Sequence, residues 1–133
     1  MNRVIVVEDD AHNALVFSKL IQKRTPFGVV VTESPAELFD LISEGGVVLV
    51  LMDVSLRDSQ WNGHSVNGVE LCRAIKDRPA TAHVPVLLAT AHAMRGDAER
   101  LLADSGADGY LAKPVVDHGA FVEMVMGLAR RAA

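Results

Sequence analysis

Three acids stand together where a short apolar run ends: Glu8, Asp9 and Asp10 follow Val4–Val7 without a spacer. A fourth acid, Asp53, closes the apolar run Val47–Met52. Thr90 follows Val86–Ala89, and Lys113 follows Tyr110–Ala112. Crowded carboxylates need a reason. Two of them about 4 Å apart repel by roughly 4 kcal/mol at an effective dielectric of about 20. If Glu8, Asp9 and Asp53 meet, they bring about three negative charges against one positive charge from Lys113, a balance that a divalent cation closes. Hard carboxylate and carbonyl oxygens suit Mg2+, which keeps several waters and takes few protein ligands. Asp10 fits a different task. It can cap the helix that follows, where the N-terminal dipole favours a negative charge.

These groups meet only if the runs that precede them lie side by side. The short apolar runs are Val4–Val7, Val29–Val31, Val47–Met52, Val86–Ala89 and Tyr110–Ala112. The first, third and fourth are apolar without alternation, as in parallel strands buried on both faces. Between them the spacing is helical. Ala14, Phe17 and Ile21 share one face, as do Leu38, Leu41 and Ile42, then Leu71 and Ile75, then Leu101 and Leu102, then Phe121, Met124, Val125 and Leu128. The second helix has a start signal in Ser34, Pro35 and Glu37, which suits a capping box, and Gly45-Gly46 ends it. The order predicts an α/β fold: a (βα)5 doubly wound parallel sheet with right-handed crossovers. Ligands of such sheets sit beyond the carboxyl ends of the strands. Glu8, Asp9, Asp53, Thr90 and Lys113 then converge on one rim.

The 133 residues suit one domain, so residues 1–133 are expected to form a single unit. The formal net charge of -4 offers no basic surplus for nucleic-acid phosphates. Cys72 is the one cysteine, which excludes an intrachain disulfide and suits a reducing cytoplasm. It reads as a small buried hydrophobe of the third helix. The N-terminal apolar run is too short for a signal peptide, and no run approaches the roughly 18 residues of a membrane span, so a cytoplasmic protein is expected. The five histidines show no metal-binding spacing, and His12, His64, His83 and His118 read as surface residues.

"VIVVEDD", "LMDVSL", "LLATA" and "YLAKP", in this order, resemble the receiver domain of two-component response regulators over nearly the whole chain. Each piece is weak alone; four at the ends of alternating strands are specific. The resemblance implies a flavodoxin-like sheet with strand order 2-1-3-4-5. It implies that Asp53 accepts a phosphoryl group from a histidine kinase or a histidine phosphotransfer protein. Glu8, Asp9, Asp53 and the backbone carbonyl of Ser55 would hold Mg2+. Lys113 would pair with phosphoryl oxygens, and Thr90 would hydrogen-bond the phosphoryl group. Tyr110 would change rotamer in step, moving the face of the fourth helix, fifth strand and fifth helix through which such domains form homodimers or meet a downstream protein. Lys113–Pro114 matches the cis peptide of that family. No membrane or nucleic-acid partner is implied. The chain ends about where such a domain ends, as expected of a stand-alone regulator or a piece of a longer protein.

Two departures stand out. In most receivers a glycine opens the third helix about eight positions after the acceptor. Its counterpart here is Gly68, fifteen positions after Asp53. The extra residues fall in Arg57–Gly68, a polar stretch expected to form turns and to border the site, with Trp61 as a contact for a partner or as an anchor on the domain itself. The proline usually found soon after the acceptor in the family is missing, and Arg57 stands near its place. His92, two positions after Thr90, and Ser55 occupy places that tune acyl-phosphate hydrolysis in the family.

A competing reading is a pseudo-receiver that keeps the fold as a protein-interaction scaffold without phosphorylation; the complete acid set argues against it. An aspartate-nucleophile phosphatase would carry Asp-x-Asp, whereas Ser55 stands at the second position. A flavin-binding flavodoxin would cradle phosphate with neutral donors after the first strand, where this chain has acids.

Overall fold

Val4–Val7 carries no polar residue because its strand is covered on both faces. In the computed structural model, which describes residues 2–56, 60–61, 63–91 and 97–132, five strands form one parallel sheet. They are β1 (Arg3–Val7), β2 (Gly28–Thr32), β3 (Val47–Asp53), β4 (Val86–Thr90) and β5 (Gly109–Ala112). Their order is β2-β1-β3-β4-β5, as the resemblance implied. The helices are α1 (Ala11–Arg24), α2 (Pro35–Glu44), α3 (Gly68–Asp77), α4 (Asp97–Ser105) and α5 (His118–Ala129). Among the described residues no helix is long and apolar enough to cross a membrane.

Successive side chains of β1 point to opposite faces. Val4 and Val6 pack with Phe17 and Ile21 of α1 and Phe121 and Val125 of α5. Ile5 and Val7 pack with Leu38 of α2 and Leu71 and Ile75 of α3. Phe17 and Phe121 stack at 5.7 Å between ring centroids, which ties α1 to α5. Truncating a fully buried residue such as Ile5 or Leu49 to alanine should cost about 2–5 kcal/mol.

Three local expectations are corrected. Met124 is 37% exposed, because it lies on the flank of the stripe formed by Phe121, Val125 and Leu128. Ser34 does cap α2, accepting from the Glu37 amide at 3.2 Å. Its own amide donates to Thr32 Oγ1 at 3.0 Å, which takes the place of the Glu37 arm of a capping box. The reciprocal box forms at α3, between Asn67 and Glu70. Finally, the stretch before α3 is more than turns. Gln60–Trp61 pairs antiparallel with His64–Ser65, and Gly63 between them has φ +80°, a left-handed conformation that glycine adopts without strain. The Gln60–Trp61 strand lies against α2. Arg57 and His92 lie outside the described residues, as does the side chain of Trp61.

The amino end of the sheet is fastened by a lysine. Lys76 Nζ donates to the carbonyls of Ala82 (3.2 Å) and Val84 (2.8 Å) and reaches Asp108 Oδ2 at 2.8 Å. The same Asp108 oxygen accepts the Val86 amide at 2.8 Å. α3, the start of β4 and the turn into β5 are thereby held at one point.

Candidate functional site

Strand register assembles the opposite rim. Val7 lies level with Met52, Asp53 with Ala89, and Thr90 with Ala112. Glu8 therefore leaves β1 beside Asp53, and Lys113 leaves β5 just beyond the level of Thr90. The Lys113 amide donates to the Thr90 carbonyl at 2.8 Å. The Lys113–Pro114 bond is cis.

Oxygens of Glu8, Asp9 and Asp53 lie within 4.8 Å of one another. Glu8 and Asp53 are buried, and Asp9 is half-buried. Lys113 Nζ sits 2.9 Å from Asp53 Oδ1 and 3.1 Å from Glu8 Oε1. The Ser55 amide donates to Asp53 Oδ1 at 3.2 Å, and the Asp10 amide to Glu8 Oε2 at 3.4 Å. A pocket of about 320 Å3 opens over these groups; Glu8, Asp9, Asp53, Ser55, Lys113 and Asn13 line it. Asp10 also caps α1 as expected, accepting the Asn13 amide at 3.0 Å.

The electrostatics record the crowding. Burial pushes the Glu8 carboxyl up to about 7, and the hydrogen bond and charge of Asp53 add to the rise against the pull of Lys113. Burial works against the Lys113 ammonium, but hydrogen bonds and attraction from Asp53 and Glu8 outweigh it and hold Lys113 above the usual lysine value. The Asn13 amide, as a hydrogen-bond donor, holds Asp10 below the usual carboxylate range. Ionised Glu8 is thus disfavoured beside Asp53, and a cation between them would relieve it. The donor set of carboxylate oxygens around one cleft fits Mg2+.

The structure brings Glu8, Asp9, Asp53, Ser55 and Lys113 to one pocket. Thr90 is buried at the end of β4, one residue beyond the partner of Asp53, and is not among the lining residues. Tyr110 lies deeper, level with Leu88, and packs partly buried beside the α2–α3 side of the core. Gly68 starts α3 directly on the Asp53 backbone. A Cβ there would overlap the Asp53 carbonyl oxygen, and the Gly68 amide donates to the Val54 carbonyl at 3.0 Å. The long connection therefore returns to the same point, and its stem borders the site. Asn13 was not foreseen. Its signal is position: three residues after the Asp10 cap, one helical turn brings it back over the acids.

The sequence pattern of the response regulator receiver domain matches residues 4–126. The chain belongs to that family. The receiver domain is 35% identical over 112 residues to the polar-differentiation response regulator DivK of Brucella ovis, covering 84% of each chain. It is 34% identical, over the same extent, to DivK of Brucella anthropi. Solved structures share its fold. A sensor protein from Polaromonas sp. JS666 superposes with TM-score 0.80 at 20% identity, covering 99% of this chain and 98% of that one. The receiver domain of a sensor histidine kinase from Pseudomonas aeruginosa PAO1, with a magnesium ion coordinated in its active site cleft, superposes with TM-score 0.78 at 22% identity, covering 97% and 98%.

Proposed function

We propose that this receiver domain, residues 1–133, is a phosphorylation-dependent switch. Asp53 accepts a phosphoryl group from a histidine kinase or a histidine phosphotransfer protein, and the change alters affinity for a downstream protein. The observation that carries the reading is the double contact of Lys113 with Asp53 and Glu8 inside an acid-lined pocket. A structural ion pair needs one acid; a second and third beside it are unfavourable until a cation enters, and that cation and Lys113 then offer positive charge to a phosphoryl group.

Glu8, Asp9, Asp53 and the Ser55 carbonyl would hold Mg2+, which when bound supplies charge stabilisation for phosphoryl oxygens. The chain's own groups do the rest. An Asp53 carboxylate oxygen attacks phosphorus, the bond from phosphorus to the donor imidazole breaks, and its electron pair stays on that nitrogen. The Lys113 ammonium leaves the carboxylates to pair with the new phosphoryl oxygens. Thr90 hydrogen-bonds the phosphoryl group, and Tyr110 shifts with it. That movement changes the α4–β5–α5 face, which we take as the surface for a downstream partner or a second copy. The role is that of a switch and not of an enzyme turning over a substrate. No nucleic acid or membrane is needed as partner, and the buried thiol of Cys72 suits the cytoplasm.

The test is intact mass after incubation with acetyl phosphate and Mg2+. One phosphoryl group should add to the wild type and none to Asp53→Asn. Undiminished labelling of that variant would overturn Asp53 as acceptor. An unlabelled wild type would leave the scaffold reading standing.

A further inference from the structure

We propose that Asn13 is a contact for the incoming phosphoryl donor, and that its lack of charge sets how fast Asp53 is loaded. The proposal rests on the switch reading above. Asn13 lies half-buried in the first turn of α1 and lines the same pocket as Asp53 and Lys113. Its backbone amide is fixed by Asp10 Oδ1 at 3.0 Å, so the turn that carries it is capped independently of its side chain.

Two observations point to a role for the side chain. First, the pocket lining carries four acids, Glu8, Asp9, Asp10 and Asp53, against one ammonium, Lys113. A phosphoryl donor is an anion and must pass these acids to reach Asp53. A carboxamide offers two N–H donors to its oxygens and adds no negative charge. Second, the Asp10 cap already places an acid at the start of α1, so the third position is free to carry a neutral donor. An acid in the first turn complements the dipole. α2 and α3 place a glutamate three residues after the cap, Glu37 and Glu70. α1 has no acid in its first turn and carries Asn13 at that position. α5, capped like α1 by an aspartate (Asp117), carries Ala120 at that position, so a neutral third position accompanies an acidic cap in both helices; in α1 that position lines the pocket and carries a hydrogen-bonding side chain.

The variants Asn13→Ala, Asn13→Gln and Asn13→Asp separate the contact from the charge. Loading is followed by intact mass with acetyl phosphate and with the less negatively charged phosphoramidate. Mg2+ binding is measured by calorimetry without any phosphodonor. Asn13→Ala should load about five-fold more slowly, the loss of one neutral hydrogen bond, with unchanged Mg2+ affinity. Asn13→Gln should recover part of that loss. Asn13→Asp should bind Mg2+ more tightly yet load about ten-fold more slowly from acetyl phosphate, and less so from phosphoramidate. Equal loading of all four proteins would overturn the proposal. So would slowing of Asn13→Asp that is the same for both donors and accompanied by weakened Mg2+ binding. Asp53→Asn, run in parallel, isolates the underlying reading: labelling that survives in it condemns the acceptor, whatever the Asn13 variants do.

Discussion

Two lysines lie at opposite ends of the same sheet, and each holds an aspartate at short range. Lys76 reaches Asp108 at 2.8 Å, and Lys113 reaches Asp53 at 2.9 Å. Their surroundings differ. Around Lys76 the accounts are settled: two carbonyls accept its remaining hydrogens, and Asp108 also takes the Val86 amide. Around Lys113 a second acid, Glu8, competes for the same ammonium, a third, Asp9, stands beside them, and a pocket opens above. The amino end is arranged for a single state. The carboxyl end keeps an excess of negative charge that a bound cation would offset. A buried ion pair by itself is weak evidence of either stability or function; the number of acids per lysine separates the two cases.

The largest effect should come from breaking the settled end. Lys76→Ala takes the ammonium from two carbonyls and from Asp108, which keeps the Val86 amide, and should cost about 2–3 kcal/mol in urea unfolding. Adding Mg2+ should leave that loss unchanged. Lys113→Ala should cost less, about 1–2 kcal/mol without metal, because Glu8 can take up a proton. Saturating Mg2+ should recover most of it. A Lys113→Ala deficit that ignores Mg2+, or a Lys76→Ala deficit that responds to it, would erase the distinction between the two ends.

The aspartates sharpen the contrast by sign. Asp53→Asn removes one of the crowded charges and should raise metal-free stability by about 1 kcal/mol. Asp108→Asn removes the acid that faces Lys76 at 2.8 Å and should lower stability by about 1 kcal/mol or more. Unfolding midpoints that move the same way in both variants would count against a strained carboxyl end.

How far this contrast was legible in the sequence follows from its physical origin. Apolar runs gave the strands, because a parallel sheet covered on both faces admits few polar residues. Glu8, Asp9, Asp53 and Lys113 were legible because each directly follows such a run, and a parallel register brings those ends to one level. Asn13 had only its place to mark it, three residues after the Asp10 cap, because a single polar residue makes no pattern. The hairpin at Gln60–Ser65 did have a signal, Asn62-Gly63 between short flanking segments. Those segments are only two residues long, below the length at which alternation can be read. The Lys76–Asp108 fastening was invisible, because its partners are 32 residues apart and half of its bonds go to backbone carbonyls, which have no sequence identity.

The smallest effect is a pH slope, and it belongs to the crowded end alone. Glu8 is held at about 7, from an ordinary value of 4.5, by burial and by Asp53. In the unfolded chain it ionises near its ordinary value, so across that interval the native state keeps a proton that the unfolded state has lost. The stability this proton carries is complete below about pH 4.5 and is lost as pH rises through about 7. Asp9, Asp53 and Lys113 face the same group. Lys113, raised, loses its contribution only above the ordinary lysine range, and Asp10, lowered, only in acid, so neither bends the curve between pH 5 and 8. Metal-free protein should therefore lose on the order of 1 kcal/mol between about pH 5 and pH 8. Mg2+ bound among these acids would take the place of the proton, so its presence should flatten or reverse the slope. Glu8→Gln should flatten it without metal. Urea midpoints at several pH values, with and without Mg2+, read all three. A slope that persists unchanged in Glu8→Gln and in Mg2+ would place its origin elsewhere in the molecule and leave the two lysines electrostatically alike.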